Sequence, residues 1–546
     1  MSRGTQFVRV IKFLLAGVTV FCVSWIASVN EWNSGLRWSG RRVENLSTMR
    51  TIVGYSAAKL AELDRPSPVA CSRLPAFPEI PLINRTWSPD TESPSWQRVR
   101  GTSVSLYAAY YDDRAPQRYI RILAHFHGRK IAIEEPLFCQ TRSANPEKYS
   151  VEVVAAKPEE IWWHEWDQTQ TEVFTPLLLS CPLTEDMSDT SVVSIVTQPC
   201  ENPSNGLLLK PSKTKYRYDR TFTICVKDVI FQKDISQNLI EWIEANKLLG
   251  VDMIDMYIDS LNKKSEDILL RYRSQGIVRL FHVPIKYSFE RSLWQRRRDH
   301  IITYNDCLYR NIRESKFIIP LDIDEIILPK IADTWGELLK RLTYQGWNPN
   351  TYSAILVRNV FFFDFLQEVR NYKSSKHTNK NKMYMKRDDV RIKDENVSLE
   401  QIKLINDTNS IKYEIDNEVA NSSTQNNYKS VCGKEMPIPK VASHTVSSAV
   451  ISPIGHYSKS FMLTKRVLTA FNHYPLASLG AAGIAGWPAP FNEVQLNHYK
   501  ESCNSTVVSE CEIYSKTSRM DYSAARLSRR LTKVLATDLC SKLKTV

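Results

Sequence analysis

From residue 220 onward, the chain alternates between short apolar runs and amphipathic stretches. The runs TFTICVKDVIF, MIDMYID, IVRLFHVPI and KFIIPLDIDEIILP have the composition of buried β-strands. Between them, NLIEWIEANKLLG and SEDILLRYRSQG have the spacing of helices that end at Gly250 and Gly276, and a third helix is predicted over residues 295–313. Strands joined by helices form right-handed crossovers, so this pattern predicts an α/β fold with a doubly wound, mostly parallel sheet.

A different pattern occupies residues 98–218. Short β-like runs, among them TSVSLYAAYY, YIRILAHFHG and SVVSIVT, are separated by turn-forming residues. This predicts a small antiparallel β-sandwich module in front of the α/β domain. Its tryptophans, Trp162, Trp163 and Trp166, suit either the core of the sandwich or a carbohydrate-binding surface, and large aromatic residues are buried on average.

The N-terminal segment contains a long uncharged run. Residues 13–29, FLLAGVTVFCVSWIASV, follow Arg3, Arg9 and Lys12. A helix of this length reaches about 25 Å, which is enough for a thin membrane and longer than the apolar part of most cleaved signal peptides. We therefore expect a cytosolic tail over residues 1–12, a transmembrane signal anchor over 13–29 in a type II orientation, and a Pro-rich stem over 30–97.

Composition agrees with a body on the lumenal side of the secretory pathway. Outside the apolar run the chain has an even set of ten of its 11 cysteines, which is compatible with disulfides. The N-x-S/T acceptor sites for glycosylation begin at Asn45, Asn84, Asn396, Asn406, Asn421 and Asn504. The net charge of +13 favours anionic partners, but a lumenal body excludes nucleic acid as the partner. We expect a single-pass protein of the Golgi membrane.

The rest of the 546-residue chain divides by composition. Residues 219–500 are predicted to form the α/β domain, which a polar, Lys- and Asn-rich stretch over 367–441 interrupts as a disordered surface insertion. Residues 501–546 form a tail whose last part has apolar residues at helical spacing, which predicts a helix that packs on the body.

The sequence Asp322-Ile323-Asp324-Glu325 has the chemistry of a metal site. Asp322 and Asp324 follow the apolar run FIIPL, and on a strand their side chains point the same way. Two carboxylates form half of a Mn²⁺ or Mg²⁺ site, and a nucleotide diphosphate supplies most of the other ligands. Ligands bind at the carboxyl ends of such strands, which places Asp259 on the same rim. The alternative is a pair of acidic turn residues.

Several spaced motifs stand in one order between about Tyr107 and Lys500: YAAYYDDR, FTICVKDV, EWIEANKLLGV, YNDCLYR, FIIPLDIDE, HYSKSFMLTKRVL and NHYK. In this order they resemble glycosyltransferase family 92. The resemblance implies a GT-A-type fold and an inverting transfer in which Asp322 and Asp324 bind a metal that bridges the phosphates of a sugar nucleotide, UDP-galactose in many members. It also implies that Asp306 lies near the nucleotide, with a helix-surface charge as the alternative.

Further site residues are expected late in the chain. The resemblance implies His473 or His498 as an additional metal ligand, with His473 favoured, and imidazole suits Mn²⁺. Lys500 replaces the arginine of the family's His-Tyr-Arg motif, which retains a phosphate-binding cation but loses bidentate geometry. Glu493, Asp364 and whichever histidine does not bind metal are candidates for the general base.

Residues 296–298 are three consecutive arginines, and they either steer a nucleotide or form a solvated basic surface. Taken as a whole, the sequence predicts a Golgi-type membrane glycosyltransferase. It is expected to use Mn²⁺ and to transfer a hexose, most often galactose from UDP-galactose, to a glycan or glycoprotein acceptor. The alternative is a non-catalytic glycan-binding membrane protein whose transferase domain has lost its activity.

Overall fold

The computed structural model describes residues 68–80, 96–129, 136–145, 147, 151–162, 172–184, 189–209, 218–283, 291–367, 428–431, 434–479, 486–503 and 511–544. All of them belong to one compact unit, residues 68–546. The predicted cytosolic tail, the anchor and all six glycosylation-site asparagines lie outside the described residues. Within the described ranges, no helix is both long and apolar enough to cross a membrane.

The strands of the N-terminal half form two antiparallel sheets. They are β1 (Gln97–Arg98), β2 (Val104–Asp112), β3 (Tyr119–His127), β4 (Phe138–Ser143), β5 (Glu152–Ala155), β6 (Lys157–Glu160), β7 (Phe174–Pro182), β8 (Ser191–Val196) and β9 (Leu207–Leu209). One sheet has the order β1-β2-β3-β7-β6 and the other β5-β4-β8-β9. Residues from both sheets, such as Leu106 and Val193, share one core, and the Cys139–Cys181 disulfide joins β4 to β7.

Part of the predicted stem is attached to this β-rich module. The backbone N–H of Val69 donates to the carbonyl of Val153 at 2.8 Å, and Cys71 forms a disulfide with Cys200. The Arg142 guanidinium also donates to the carbonyl of Pro75 at 2.6 Å. Residues 68–80 therefore pack on the module instead of forming an extended spacer, because hydrogen bonds and a covalent link compensate for the loss of chain entropy.

The second half begins with the predicted alternation of strands and helices. The elements are β10 (Arg220–Phe231), α1 (Ser236–Leu249), β11 (Met253–Leu261), α2 (Lys263–Ser274), β12 (Val278–His282), α3 (Leu293–Asn311) and β13 (Ser315–Pro320). Gly250 and Gly276, which follow α1 and α2, have φ angles of 98° and 75°, a conformation that favours glycine after a helix.

The remaining elements complete the sheets and add the C-terminal helix. They are β14 (Glu325–Pro329), α4 (Trp335–Tyr344), β15 (Ala354–Val357), β16 (Asn359–Phe363), β17 (Tyr428–Val431), β18 (Lys434–Pro437), α5 (Lys440–Ser443), β19 (Val446–Ser448), β20 (Lys459–Leu463), β21 (Val467–Thr469), β22 (Ala477–Ser478), β23 (Gly486–Pro488), β24 (Val494–Lys500), α6 (Cys511–Lys516), β25 (Ser518–Met520) and α7 (Ala525–Lys544).

The predicted mostly parallel sheet is confirmed. Its seven strands have the order β12-β11-β10-β13-β20-β15-β23, and the pairs among β12, β11, β10 and β13 are all parallel. Helices α1 and α2 pack on one face of the sheet and α3 on the other. The chain runs outward from β10 to β12 and returns to β13 on the other side of β10. The carboxyl ends of β10 and β13 therefore flank a topological switch point, where open α/β sheets bind ligands.

The predicted fourth strand, residues 316–329, is in fact two strands in different sheets. β13 ends at Pro320, residues 323–324 form a turn, and β14 begins at Glu325. β14 lies in a separate three-stranded sheet of order β14-β24-β16. The break leaves the side chains of Asp322 and Asp324 partly exposed, which avoids burying both charges in the apolar core. Asp322 and Asp324 therefore lie on a turn between two sheets.

The structure describes parts of two other predicted segments, the insertion and the C-terminal tail. Part of the predicted insertion, residues 367–441, lies outside the described residues, but its last residues form β17, β18 and α5, and Met436 and Val441 are buried in the main core. In the tail, α7 packs on the same core through Leu527, Leu531 and Leu535, as the helical spacing predicts.

The β-rich module packs directly against α3. Trp162 is buried in the cluster that contains the apolar side of α3, and the Arg298 guanidinium lies over its ring at 4.6 Å. The Gln295 side chain accepts from the Phe174 backbone N–H at 2.8 Å and donates to the Phe174 carbonyl at 3.1 Å. Trp162 is therefore a core residue, whereas Trp163 and Trp166 lie outside the described residues.

Candidate active site

The turn that carries Asp322 and Asp324, here called the D-x-D turn (residues 322–324), lies at the switch point of the sheet. β13 leads into it beside β10, and the Leu321 backbone N–H donates to the carbonyl of Cys225 at 3.1 Å. The Asp322 backbone N–H donates to the carboxylate of Glu325 at 3.0 Å, which closes the turn. The side chains of Asp322 and Asp324 keep 22% and 38% of their exposure, so both carboxylates are accessible from solvent.

Three lysines from different strands neutralise the D-x-D turn. Lys227 on β10 donates to Asp322 Oδ2 at 2.8 Å, and Lys459 on β20 donates to the same oxygen at 3.2 Å. Lys500 on β24 lies 3.3 Å from Asp324 Oδ2. Burial alone raises the pKa of Asp322, but the charges of Lys227 and Lys459 outweigh it and hold that pKa well below its usual value. The carboxylate is therefore ionised at neutral pH.

Lys459 is buried and has several partners. Its ammonium lies 3.0 Å from Glu325 Oε2 and donates to Asn472 Oδ1 at 2.5 Å, in addition to Asp322. Burial lowers the pKa of Lys459, but the adjacent Asp322 and Glu325 carboxylates outweigh burial and raise it. A buried ammonium is tolerated only when it is paired and hydrogen-bonded in this way. Lys459 thereby fixes β20, the D-x-D turn and residue 472 relative to one another.

His498 lies between two carboxylates on β24. Its ring nitrogens are 3.4 Å from Asp324 Oδ2 and 3.4 Å from Glu325 Oε1, because Glu325 and His498 are paired residues of β14 and β24. The ring stacks on Phe361 with the centroids 5.1 Å apart. Both nitrogens are buried and form no hydrogen bond with any described residue. A buried imidazole in this state is suited to accept another partner.

His473 lies beside Asn472, which accepts from Lys459. Its Nδ1 is 2.7 Å from the carbonyl of Ser458, so this nitrogen carries the proton and Nε2 is left as an acceptor. Burial, together with the charge of Lys459, lowers the pKa of His473 to about 3. The side chain is therefore neutral at physiological pH.

A second charged cluster contains Asp259, on the rim that the sequence predicts. Arg291 contacts the carboxylates of Asp259 and Asp228 and lies 2.9 Å from Asp299. His300 contacts Asp228, which follows Lys227 on β10. Burial raises the pKa of Asp228, but the charges of His300 and the nearby arginines outweigh burial and lower it. Asp259 is thus held near the end of β11 and is linked to Asp228 of β10 through Arg291.

The three consecutive arginines do not form a single surface. Arg298 is buried against Trp162, Arg297 lies over the Trp294 ring at 4.5 Å, and Arg296 is 3.6 Å from Asp228. The expectation of a uniformly solvated basic surface is therefore wrong for Arg298. Arg296, which is 39% exposed, lies near the switch point.

The structure does not bring Glu493 to the D-x-D turn. Glu493 precedes β24 and lies at the opposite end of that strand from His498, about 16 Å away at the rise of an extended strand. Its carboxylate accepts from Arg341 at 2.7 and 2.8 Å and from Gln345 at 2.6 Å. Glu493 therefore joins α4 to β24 and is not placed to act as the general base.

Asp364 lies on the other face of the small sheet. It follows β16 and contacts His444 at 2.7 Å, and the His444 ring packs edge-on against Tyr499 at 5.7 Å. Side chains alternate along β24, so Tyr499 points away from the face that carries His498 and Lys500. The sheet therefore separates Asp364 from the carboxylates of the D-x-D turn.

Asp306 is fully buried in the interior. Its carboxylate accepts from the Tyr110 and Tyr257 hydroxyls and from Arg310 Nε, the latter at 2.6 Å. It lies in the second half of α3, which begins at the rim of the sheet with Leu293. Asp306 is about 20 Å along the helix from that residue. The helix-surface alternative is therefore wrong, whereas the proximity of Asp306 to a nucleotide stays a prediction.

Comparison with known proteins decides the family. The chain matches glycosyltransferase family 92 over residues 220–535, which is more than half of its length. The chain belongs to glycosyltransferase family 92. The match includes the D-x-D turn and all three lysines that contact it.

A beta-1,4-galactosyltransferase from Caenorhabditis elegans, named galt-1, is 22% identical to this member of the family over 258 residues. That alignment covers 44% of the present chain and 56% of the length of the relative. Among solved structures, a ferredoxin-NADP⁺ reductase from Plasmodium falciparum with 2'P-AMP covers 39% of this chain and 84% of its own, at 9% identity and a TM-score of 0.11. A likeness this weak carries no argument about the fold.

The ligand chemistry of the side chains around the D-x-D turn suits a divalent ion. Carboxylate oxygens and a neutral imidazole are ligands that Mn²⁺ accepts, and the buried His498 nitrogens form no hydrogen bond with any described residue. As the side chains stand, no three His, Cys, Asp or Glu residues in the described ranges are arranged to hold a metal ion. Carboxylate oxygens of the D-x-D turn contact Lys227, Lys459 and Lys500 instead.

Sequence reasoning did not identify Lys227 and Lys459 as residues of the candidate site. Each is a single lysine in a mostly apolar run, TICVKDVIF, which also contains Asp228, and SKSFML, and each run contributes a strand of the main sheet. A charge inside a buried strand requires a partner of opposite charge. That requirement is the signal that connects them to Asp322.

Proposed function

We propose that this chain is a metal-dependent, inverting glycosyltransferase of GT-A type that transfers galactose from UDP-galactose to a glycan acceptor. The observation that carries the proposal is the partly exposed D-x-D turn at the switch point of a mostly parallel sheet, with three lysine ammoniums around it. Membership of glycosyltransferase family 92 supports the reaction class. The printed name of the C. elegans relative supports galactose as the transferred sugar.

The carboxylates and one histidine have assigned roles in this proposal. Asp322 and Asp324 are the residues that hold a divalent ion, Mn²⁺ in the first place, and His498 is the better of the two candidate histidines because it lies 3.4 Å from Asp324. When bound, the ion neutralises charge on the diphosphate leaving group. His473 donates from Nδ1 to a backbone carbonyl, and its Nε2 lies 3.5 Å from Asn472.

The lysines supply the remaining positive charge. Lys500 is partly exposed beside Asp324, so its ammonium is placed to contact a phosphate oxygen of a nucleotide bound at the turn. Lys459 positions Asp322 and Glu325 from the interior. Fixed positive charges at the place where negative charge develops are a common way in which enzymes lower the barrier to group transfer.

We further propose that the protein is a type II protein of the Golgi membrane with a lumenal catalytic domain. The apolar run at residues 13–29 and the positive charges before it motivate the topology. The disulfides Cys71–Cys200, Cys139–Cys181 and Cys225–Cys307 support an oxidising compartment, because disulfides rarely persist in the cytosol.

Transfer by the purified full-length protein tests the proposal. We expect galactose release or transfer from UDP-galactose that requires Mn²⁺ and stops in chelator. Asp324→Ala should lower the rate at least about 100-fold, because it removes one of two carboxylates that hold the ion. Asp267→Ala is the matched control, since Asp267 is exposed on α2 and pairs with Lys263.

An unchanged rate in chelator would show that the metal requirement is wrong. Glycan binding without turnover of any sugar nucleotide would instead support the alternative of a non-catalytic binding protein. Turnover of another UDP-sugar in preference to UDP-galactose would overturn the choice of donor and leave the reaction class in place.

A further inference from the structure

Asp322 has two ammoniums on one carboxylate oxygen, and these two lysines differ in their surroundings. Lys459 is fully buried and also contacts Glu325 and Asn472. The Lys227 side chain is 23% exposed and contacts Asp322 at 2.8 Å. Moving Lys459 would leave buried carboxylate and amide groups without their partner, whereas Lys227 can turn toward solvent at low cost.

The backbone near Lys227 is irregular. β10 pairs in register with β11 up to Val226, and the register shifts between Val226 and Val229. Such bulges occur next to active sites and re-aim side chains out of the regular alternation of a strand. Here the irregularity directs Lys227 and Asp228 toward the rim of the sheet, where Lys227 meets Asp322 and Asp228 meets His300.

A divalent ion and the Lys227 ammonium compete for the same carboxylate. Oxygen atoms of Asp322 are needed for a metal site, and two positive charges on one oxygen repel each other more strongly in a partly buried site than in water. Lys227 holds one of these oxygens at hydrogen-bond distance. A bound diphosphate brings negative charge to the same rim, so it offers the displaced ammonium a new partner.

We propose that Lys227 is an exchangeable lysine of the donor site. In the donor-free protein it neutralises Asp322, and when the ion and the sugar nucleotide bind it leaves Asp322 and pairs with the diphosphate. Lys459 stays in place as a positioning residue. This inference rests on the proposed function, because it requires a metal and a diphosphate at the D-x-D turn. Its consequence is that the ion alone binds weakly and that the donor strengthens ion binding.

Calorimetric titration of the full-length protein with Mn²⁺ alone, without nucleotide, tests the exchange. We expect Lys227→Gln to bind Mn²⁺ about tenfold more tightly than the wild type, since a competing cation is removed. The same variant should bind UDP in the presence of Mn²⁺ about tenfold more weakly, because a phosphate partner is lost. Lys227→Arg keeps the charge and should remain close to the wild type in the Mn²⁺ titration.

Lys263→Gln is the matched control, because it removes the same charge from the exposed start of α2, where Lys263 pairs with Glu266 and Asp267. Both affinities should be unchanged in this variant. Equal Mn²⁺ affinity in wild type and Lys227→Gln, with Mn²⁺ bound by both, would overturn the exchange and leave the metal site standing. Absence of Mn²⁺ binding in both proteins, with and without UDP, would overturn the proposed metal dependence and the exchange with it.

Discussion

Asp306 and Asp322 are both acidic residues of the motifs that resemble the family, but their surroundings differ. The Asp306 side chain is fully buried, and Tyr110, Tyr257 and Arg310 surround its carboxylate. The Asp322 side chain keeps 22% of its exposure, and its partners are lysine ammoniums. The pKa is lowered at both sites: burial opposes this at each, while Arg310 lowers it at Asp306 and the two lysines lower it at Asp322.

The difference separates an acid that stabilises the fold from one that can bind a ligand. A guanidinium and two phenol hydroxyls close around Asp306 and leave no path for another group. At Asp322 one of the compensating cations is partly exposed, so a second cation can take its place. Burial of an aspartate therefore says less about ligand binding than whether the positive group paired with it can move away.

The largest expected effect on stability comes from removing the buried Asp306 carboxylate. Asp306→Ala leaves Arg310 without its counter-charge and two buried tyrosines without their acceptor, so we expect the free energy of unfolding to fall by about 3–5 kcal/mol. Urea unfolding of the full-length protein, followed by tryptophan fluorescence, measures this change. Asp322→Ala should cost less, because Lys459 keeps Glu325 and Asn472 as partners. An equal or larger loss in Asp322→Ala would remove the distinction between the two sites.

A second buried carboxylate, Asp112, should make the free energy of unfolding depend on pH. Asp112 is buried against Arg114 and Arg121, and although burial opposes it, the charge of Arg114 lowers its pKa to about 2. Because this folded-state pKa lies below the unfolded value, the stabilisation is present above about pH 4 and is lost as the pH falls toward 2.

The Asp112 contribution is about 2 kcal/mol at neutral pH. Arg114 also donates to the carbonyls of Thr464 and Val467, which joins the β-rich module to the α/β domain. Urea unfolding of wild type and Asp112→Asn between about pH 6 and pH 2 measures the effect. The two stability curves should converge at the acid end, and parallel curves would contradict the assignment.

The smallest expected effect on stability comes from removing one of the hydrogen bonds to Asp306. Tyr257→Phe removes one hydroxyl that donates to Asp306 at 2.5 Å and leaves Tyr110 and Arg310 in place. We expect the free energy of unfolding to fall by about 1 kcal/mol, as for the loss of one buried hydrogen bond. Tyr344→Phe is the control, because Tyr344 is 92% exposed and should not change stability. A loss as large as that of Asp306→Ala would mean that Tyr257 alone holds the site together.

The alternation of strands and helices after residue 220 could be predicted because each element buries a continuous apolar run or stripe, and Gly250 and Gly276 mark two helix ends. The break between β13 and β14 could not, because FIIPLDIDEIILP reads as one strand unless the pairing partners are known. β24 lies far along the chain and pairs with β14 only in the folded protein. Periodicity alone does not show that pairing.

Within the site, the D-x-D turn could be predicted from its own residues, since two carboxylates after an apolar run require compensation. The positions of Asp306, Asp364 and Glu493 could not, because each is placed by partners that are distant in sequence: Tyr110, His444 and Arg341. A carboxylate that forms a fixed ion pair has the same sequence pattern as one that is free to react. Only the partner distinguishes them.

The D-x-D turn is the point at which the chain leaves the seven-stranded sheet and enters the three-stranded one. A ligand bound there contacts side chains of both sheets, Lys227 and Lys459 from the first and His498 and Lys500 from the second. Its binding energy would therefore add to contacts such as Lys459–Glu325, which already join the two sheets. Occupancy of the site should slow amide hydrogen exchange along β14 and β24, so the dynamics of the small sheet become a readout of substrate loading.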